Sequence, residues 1–343
     1  MSQLKKICQG MAFVAVATTL LTGCQQVMKT GGNATLGFVE KKIVPPLLSM
    51  NDTDALCDTG KVLAPVILST QSLHADPTNL GVLMAVLSGT CAEQRANNAE
   101  LRYLRASKNN LITEAQDARI EQKRYSAIAS ERQYAGYKLL ATKFEKTYKK
   151  PLGDHCPSNQ TGKDELVYLL GMIIGLQAVM NDINSGGVVG VPKDIAPVVE
   201  RGMACLDNTR FWGTPNATRA TIWTILPGSG DGKPDPWVTL KQSTQIAEKG
   251  GVRLAHALYA LAAQANGDDA KIRDAIKTFA NARSDIKPVN QEFALIDSIS
   301  KAAVMGVSDR YWTEHTGTRT PENGMEQFWD EEEAIDESLL SIE

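Results

Sequence analysis

From Asp54 to about Met305, apolar residues recur at three- and four-residue spacing and rarely alternate, the period of helices and not of strands. Leu56, Leu63, Val66, Ile67 and Leu73 share one helical face, and Pro65 inside that pattern predicts a break or kink. Asp76-Pro77-Thr78-Asn79 reads as a turn in which Asp caps a helix opening on Pro, with Leu80, Leu83, Met84 and Leu87 starting that helix. Residues 97–149 hold no Pro and one glycine, Gly136. Leu101, Leu104, Leu111, Ile120, Ile128, Leu139, Leu140 and Phe144 predict one or two long amphipathic helices there, hinged at Asn109-Asn110, with the charges as a solvated face.

A loop rich in Pro, Gly, Asn and Ser spans residues 151–162, and the design then repeats. Asp164–Asn181 is apolar nearly all round, which predicts a central helix. Behind a Gly-rich loop at 185–190 come shorter helices over Asp194–Leu206, Ala217–Leu226, Trp237–Glu248, Val252–Ala265, Asp269–Ala282 and Gln291–Val304. The expected fold is all-α, stacked antiparallel helix pairs in a helical-repeat superhelix, because one such pair cannot bury its own apolar face. Residues 25–52, rich in Gly, Thr, Asn and Lys and followed by this body, read as a tether, with local structure near Phe38–Leu48.

The N-terminus changes the picture most. Lys5 and Lys6 precede an apolar run from Met11 to Leu21, too short for the roughly 20 residues that cross a bilayer and suited to a signal peptide. It ends in Leu21-Thr22-Gly23-Cys24, which looks like the lipobox of bacterial lipoproteins. That resemblance implies cleavage after Gly23, lipidation of Cys24 and acylation of its amine, and two or more acyl chains make a stable anchor. Gln25 after the cysteine resembles lipoproteins sorted to the outer membrane, on its periplasmic face. The expected organisation is a signal peptide (1–23), a lipidated tether (24–53), a helical-repeat domain (54–308) and an acidic extension (309–343).

Composition adds bounds. The 343 residues are 43% hydrophobic and 22% charged with a net charge of −3, ordinary globular material without the basic balance of a general nucleic-acid binder. Export leaves Cys57, Cys91, Cys156 and Cys205, four thiols with three connectivities. If residues 54–73 and 79–104 pair antiparallel, position 57 falls one turn from Cys91, which favours Cys57–Cys91 and leaves Cys156–Cys205. Free buried thiols are the alternative.

Ala255, Leu258, Tyr259, Gly267-Asp268, Ala275, Phe279, Ala282 and Pro288 look like a degenerate tetratricopeptide repeat: small residues let two helices approach and Gly267 turns the chain. Together with the lipobox, Asp76-Pro77-Thr78-Asn79, Leu166-Val167-Tyr168-Leu169-Leu170-Gly171, the run Val199–Asp207 and the loop Leu226–Gly232, the order of features over residues 54–285 resembles the TatT family, tetratricopeptide-like lipoproteins associated with TRAP transporters. The resemblance implies an anchored, non-catalytic helical receptor, sometimes a trimer, with a cavity or pore in each protomer. It also implies a periplasmic solute-binding protein as partner, and an apolar solute. A departure is Leu169, where family members carry Trp. The other expectation is a scaffold or adaptor lipoprotein for envelope assembly or secretion, binding proteins through its concave face and acidic tail.

Candidate chemistry is sparse. Gly228-Ser229-Gly230-Asp231-Gly232-Lys233 lacks the GxxxxGK[ST] spacing and the preceding strand of a phosphate loop, and reads as a turn. Asp154-His155-Cys156 has no orienting partner for a nucleophile, and cysteine–histidine spacings for a metal are absent, so neither catalysis, cofactor nor metal is expected. Tyr168, Trp212, Trp223, Trp237 and Tyr259 could line an apolar cavity or simply pack the core. From Pro321 to Glu343 there are nine acids and no base, with Met325, Phe328, Trp329, Ile335, Leu339 and Ile342 near helical spacing. An acidic amphipathic helix, with Phe328, Trp329, Ile335, Leu339 and Leu340 as docking residues, would suit a basic groove on a partner. A tail folded back on its own body is the other reading.

Overall fold

A computed structural model describes residues 26–158, 161–282 and 288–331. Among them the chain is all-α, with twelve helices and no strand. Residues 26–42 form α1, followed by α2 (Val44–Leu48), α3 (Thr53–Ser69), α4 (Thr78–Lys108), α5 (Ile112–Tyr148) and α6 (Gly162–Ser185). The second half holds α7 (Ile195–Met203), α8 (Thr214–Ile225), α9 (Pro236–Gly250), α10 (Leu254–Asn266), α11 (Asp269–Asn281) and α12 (Ala294–Thr316).

Helices α3 to α6 pack as successive antiparallel neighbours. Cys57 is disulfide-bonded to Cys91 across α3 and α4, with Cα atoms 5.4 Å apart. Gly136 of α5 lies where α4 and α6 cross it: a Cβ there would sit 2.5 Å from Ala85 Cβ and 2.6 Å from Ile174 Cδ1, so the three backbones approach closely only because it is glycine. The chain breaks between α4 and α5 at Asn109-Asn110, where Asn110 takes a φ of +57° that asparagine tolerates. Helix α5, of 37 residues, extends about 55 Å at 1.5 Å per residue.

The buried face of α5 matches the expected apolar set only in its last third, where Leu140 and Phe144 are buried. Ala115, Ala118, Gln122, Ser126, Ala129, Ser130 and Gln133 are buried, while Leu111 and Ile120 are about half exposed. Small residues win the interior because they allow the close helix contact, and Ser130 satisfies its hydroxyl on the Ala178 carbonyl. Helix α6, whose composition alone would let it cross a membrane, has 83% of its apolar window buried inside the body.

Two sequence expectations need correction. Of the break or kink expected at Pro65, the break does not occur: Pro65 lies within a continuous α3. Residues 26–42 are helical and packed on the body instead of forming a loose tether, and the local structure expected near Phe38–Leu48 continues into α2. Leu36 is buried with Leu56, Leu80 and Met84, Val39, Val44 and Leu47 pack around them, and Asn33 Oδ1 accepts from the Asp76 amide. Helical spacing of these apolar residues outweighs a loop-like composition. Cys24 and the signal segment lie outside the described residues.

In the second half, α10 packs against α8, α9, α11 and α12. Gly267, at φ +63°, turns α10 into α11, and the Asp268 side chain caps α11 by accepting from the Lys271 amide. Arg253, before α10, meets Asp297 of α12 in a buried pair: Nε and the backbone amide of Arg253 donate to Asp297 Oδ1 at 2.8 and 2.9 Å, and Nη2 donates to Oδ2. Cys156 is bonded to Cys205, tying the loop after α5 to the end of α7. Helix α12 runs beside α4 in the same direction, from Leu295 near Met84 to His315, whose carbonyl accepts from Lys108 Nζ at 2.6 Å.

Candidate binding site

The five aromatic residues that the sequence singles out do not come together around a cavity. Tyr168 is buried in α6 with its hydroxyl toward the Gly202 carbonyl, and Trp212 packs on Phe293, 4.8 Å between centroids. Trp223 donates to Glu200 Oε1, and Tyr259 donates to Asp274 Oδ2 at 2.6 Å with Trp237 beside it. All five rings pack in or against the main core, and Tyr168, Trp223 and Tyr259 satisfy their polar tips locally as buried Tyr and Trp require. Burial raises the pKa of the Tyr168 and Tyr259 phenols, which remain neutral.

The other singled-out segments are structural. Ser229 donates to the Ile222 and Leu226 carbonyls, so the Gly-rich loop terminates α8. Asp154 pairs with Arg201 beside the disulfide at Cys156. His256 is fully buried against Phe279, and burial pushes its pKa down. No group of three or more His, Cys, Asp and Glu among the described residues could hold a metal. Phe328 is buried in the chain's own core instead of facing a partner, because the segment 321–331 folds back over α11 and α12. Trp329 stacks on His315, while Ile335, Leu339 and Leu340 lie outside the described residues.

Two concavities do form, neither of them named by the sequence. The first is an apolar cavity of about 60 Å³ roofed by Val44, Leu47 and Leu48 of α2. Its walls come from α4, α6, α10 and α12, and only Thr90 and Gln177 among its lining side chains are polar. An apolar cavity of this kind excludes water and takes up apolar matter. It is smaller than the few hundred Å³ of a typical ligand site, so a larger occupant requires α2 to lift. Pro45 and Pro46 in the first turns make α2 a short, separately bounded element. The apolar periodicity over 44–48 is the signal that could have identified it.

The second is an open groove of about 520 Å³ at the tip of the α4–α5 hairpin, between Tyr103 and Ser107 of α4 and Ile112, Arg119, Ile120 and Lys123 of α5. The Arg119 guanidinium lies 5.1 Å from the Tyr103 ring centroid.

Further along the hairpin from its tip, a polar group bridges α4, α5 and α6. Glu93 Oε1 accepts from Gln133 Nε2 at 2.9 Å and from Asn181 Nδ2 at 2.6 Å, and the same Asn181 nitrogen donates to Gln133 Oε1. Burial raises the Glu93 pKa, and the two donated hydrogen bonds only partly offset it. A carboxyl with its folded pKa above the ordinary 4.5 contributes stability below that value and loses it as pH rises through the folded pKa. Glu93→Gln is therefore expected to melt higher than wild type at pH 8 and equal to it at pH 4; thermal melts at the two pH values read this out.

No protein-family model matches the chain, and no curated protein or solved structure matches it.

Proposed function

We propose that the chain is a lipid-anchored bacterial envelope protein, on the periplasmic face of the outer membrane, that acts as a non-catalytic binding component of a TRAP-type transport system. In this reading the antiparallel pairs α3–α4, α5–α6 and α10–α11 are diverged tetratricopeptide-like units of a helical-repeat superhelix. The body engages a periplasmic solute-binding protein and takes an apolar solute. The observation that carries the reading is the almost wholly apolar cavity beneath α2. The packing of α1 supports it as well: α1 lies against the start of α4, at the end of the α4–α5 hairpin away from its tip.

A fluorescent alkyl carboxylate tests the cavity. Thr90 is a half-buried lining residue, so Thr90→Phe fills the space from its edge. Probe uptake is expected to fall at least tenfold (on the order of the 1–3 kcal/mol at stake in a methylene-scale change of pocket shape) with the melting temperature retained. Unchanged uptake would count against a solute site here. The second reading, a scaffold for envelope assembly or secretion, draws on the exposed hairpin tip and not on the cavity.

A further inference from the structure

The groove at the α4–α5 tip is built like a receptor for a helix and stands uncovered by any described element. Leu111, Ile112 and Ile120 are 50%, 69% and 49% exposed, a concentration of apolar surface unusual at the end of a charged hairpin. On α5 the lining residues Ile112, Ala115, Gln116, Arg119, Ile120 and Lys123 fall at helical spacing, one continuous stripe beside Tyr103 and Ser107. Both charged side chains in the lining are basic, Arg119 and Lys123. Arg105 and Lys108 lie in the last turn of α4, close in sequence to the lining residues Tyr103 and Ser107. Of the acids at this end of α5, Glu114 and Asp117 are exposed but do not line the groove, and Glu121 is paired with Arg102.

The sequence supplies a complement. Residues 332–343 carry five acids (Glu332, Glu333, Asp336, Glu337 and Glu343) and no base. Their apolar residues Ile335, Leu339 and Ile342 are spaced four and three apart, which is the spacing of a third helix laid along two others. We propose that residues 332–343 dock in the tip groove of the same molecule, their apolar stripe on Ile112 and Ile120 and their acids on Arg119 and Lys123.

The reach is adequate. Glu331 is fixed by Lys277, with Nζ 2.7 Å from Oε1, and Trp329 stacks on His315, the residue whose carbonyl holds Lys108. Lys108 adjoins the groove residues Ser107 and Asn110. Twelve residues span up to about 40 Å when extended, and tethering this close gives an effective concentration in the mM range. Intramolecular docking thus needs only a weak intrinsic affinity. The basic groove that the acidic tail was suited to on a partner would then be one that this chain carries itself, and a partner using the tip would have to displace the tail.

The test uses the full chain with a photo-crosslinking residue replacing Leu339, irradiated as a monomer and mapped by mass spectrometry. Crosslinks to residues 103–123 of the same molecule are the expected result. Arg119→Glu with Lys123→Glu, both at the exposed tip, is expected to cut their yield at least fivefold with the melting temperature unchanged, and adding Asp336→Lys with Glu337→Lys is expected to restore it. Crosslinks elsewhere on the body, crosslinks only between two copies, or no crosslinks at all would each overturn the proposal.

Discussion

Asp297→Ala is expected to destabilise the protein by about 3–5 kcal/mol, the range for removing one partner of a buried ion pair. Asp297 and Arg253 expose only 5% and 9% of their side chains. The aspartate accepts from the Arg253 backbone amide and from two guanidinium nitrogens, while Arg253 Nη1 donates to the Ala282 carbonyl at the end of α11. One pair thus joins the starts of α10 and α12 to the end of α11. Asp297 also stands in the first turn of α12, where the helix dipole favours a negative charge. Alanine would leave a guanidinium desolvated without its counter-charge. Urea denaturation followed by far-UV circular dichroism measures the loss. Replacing both partners, as in Arg253→Met with Asp297→Leu, should recover much of it, since no charge is then stranded.

Phe328→Ala is expected to cost about 3–5 kcal/mol, as for a large ring removed from a core, while Trp329→Ala next to it costs far less. The neighbours differ in burial: Phe328 is 2% exposed and Trp329 is 36% exposed. Phe328 meets Tyr311 and Trp312 and lies 4.8 Å from the Arg273 guanidinium, so its loss opens a gap between α11, α12 and the returning segment. The segment is held further by ion pairs of Asp330 with Arg273 and of Glu331 with Lys277. Hydrogen bonds from those cations lower the pKa of both carboxyls below their ordinary 3.8 and 4.5. Their contribution is present above those ordinary values and is lost as pH falls through the lower folded ones. Limited proteolysis near residue 320 should therefore accelerate in Phe328→Ala at pH 7, and in the wild type only in strong acid.

The parts of this fold that were legible in the sequence are those where a local rule and the tertiary structure agree. Gly267-Asp268 places a left-handed turn and a cap between two helices, and the α10–α11 pair forms there. Asn109-Asn110 interrupts a helical pattern, and the hairpin turns there. The sequence pointed to Leu140 and Phe144 on the buried face of α5, while the part from Ala115 to Gly136 was illegible for a physical reason. Its close contact with α4 and α6 selects Ala, Ser, Gln and Gly, residues that hydrophobic periodicity counts as exposed. The Glu93–Gln133–Asn181 group escaped notice likewise, since nothing local separates a buried glutamate from a solvated one. Residues 25–52 read as a tether with local structure only near Phe38–Leu48 because Gly31, Gly32 and Asn33 dominate a short window, whereas Leu36 finds its partners only on α3, α4 and α12. The aromatic residues share a half of the chain but not a wall, and composition cannot tell the two apart.

The most direct measurement is in-cell crosslinking of the lipidated protein in its own host, followed by affinity purification and mass spectrometry. Strong enrichment of a TRAP-type solute-binding protein, lost when Cys24→Ser releases the chain from the membrane, is the result expected of an anchored transport component. Enrichment of secretion or envelope-assembly proteins with no solute-binding protein among them would contradict that function and leave the helical body as a scaffold.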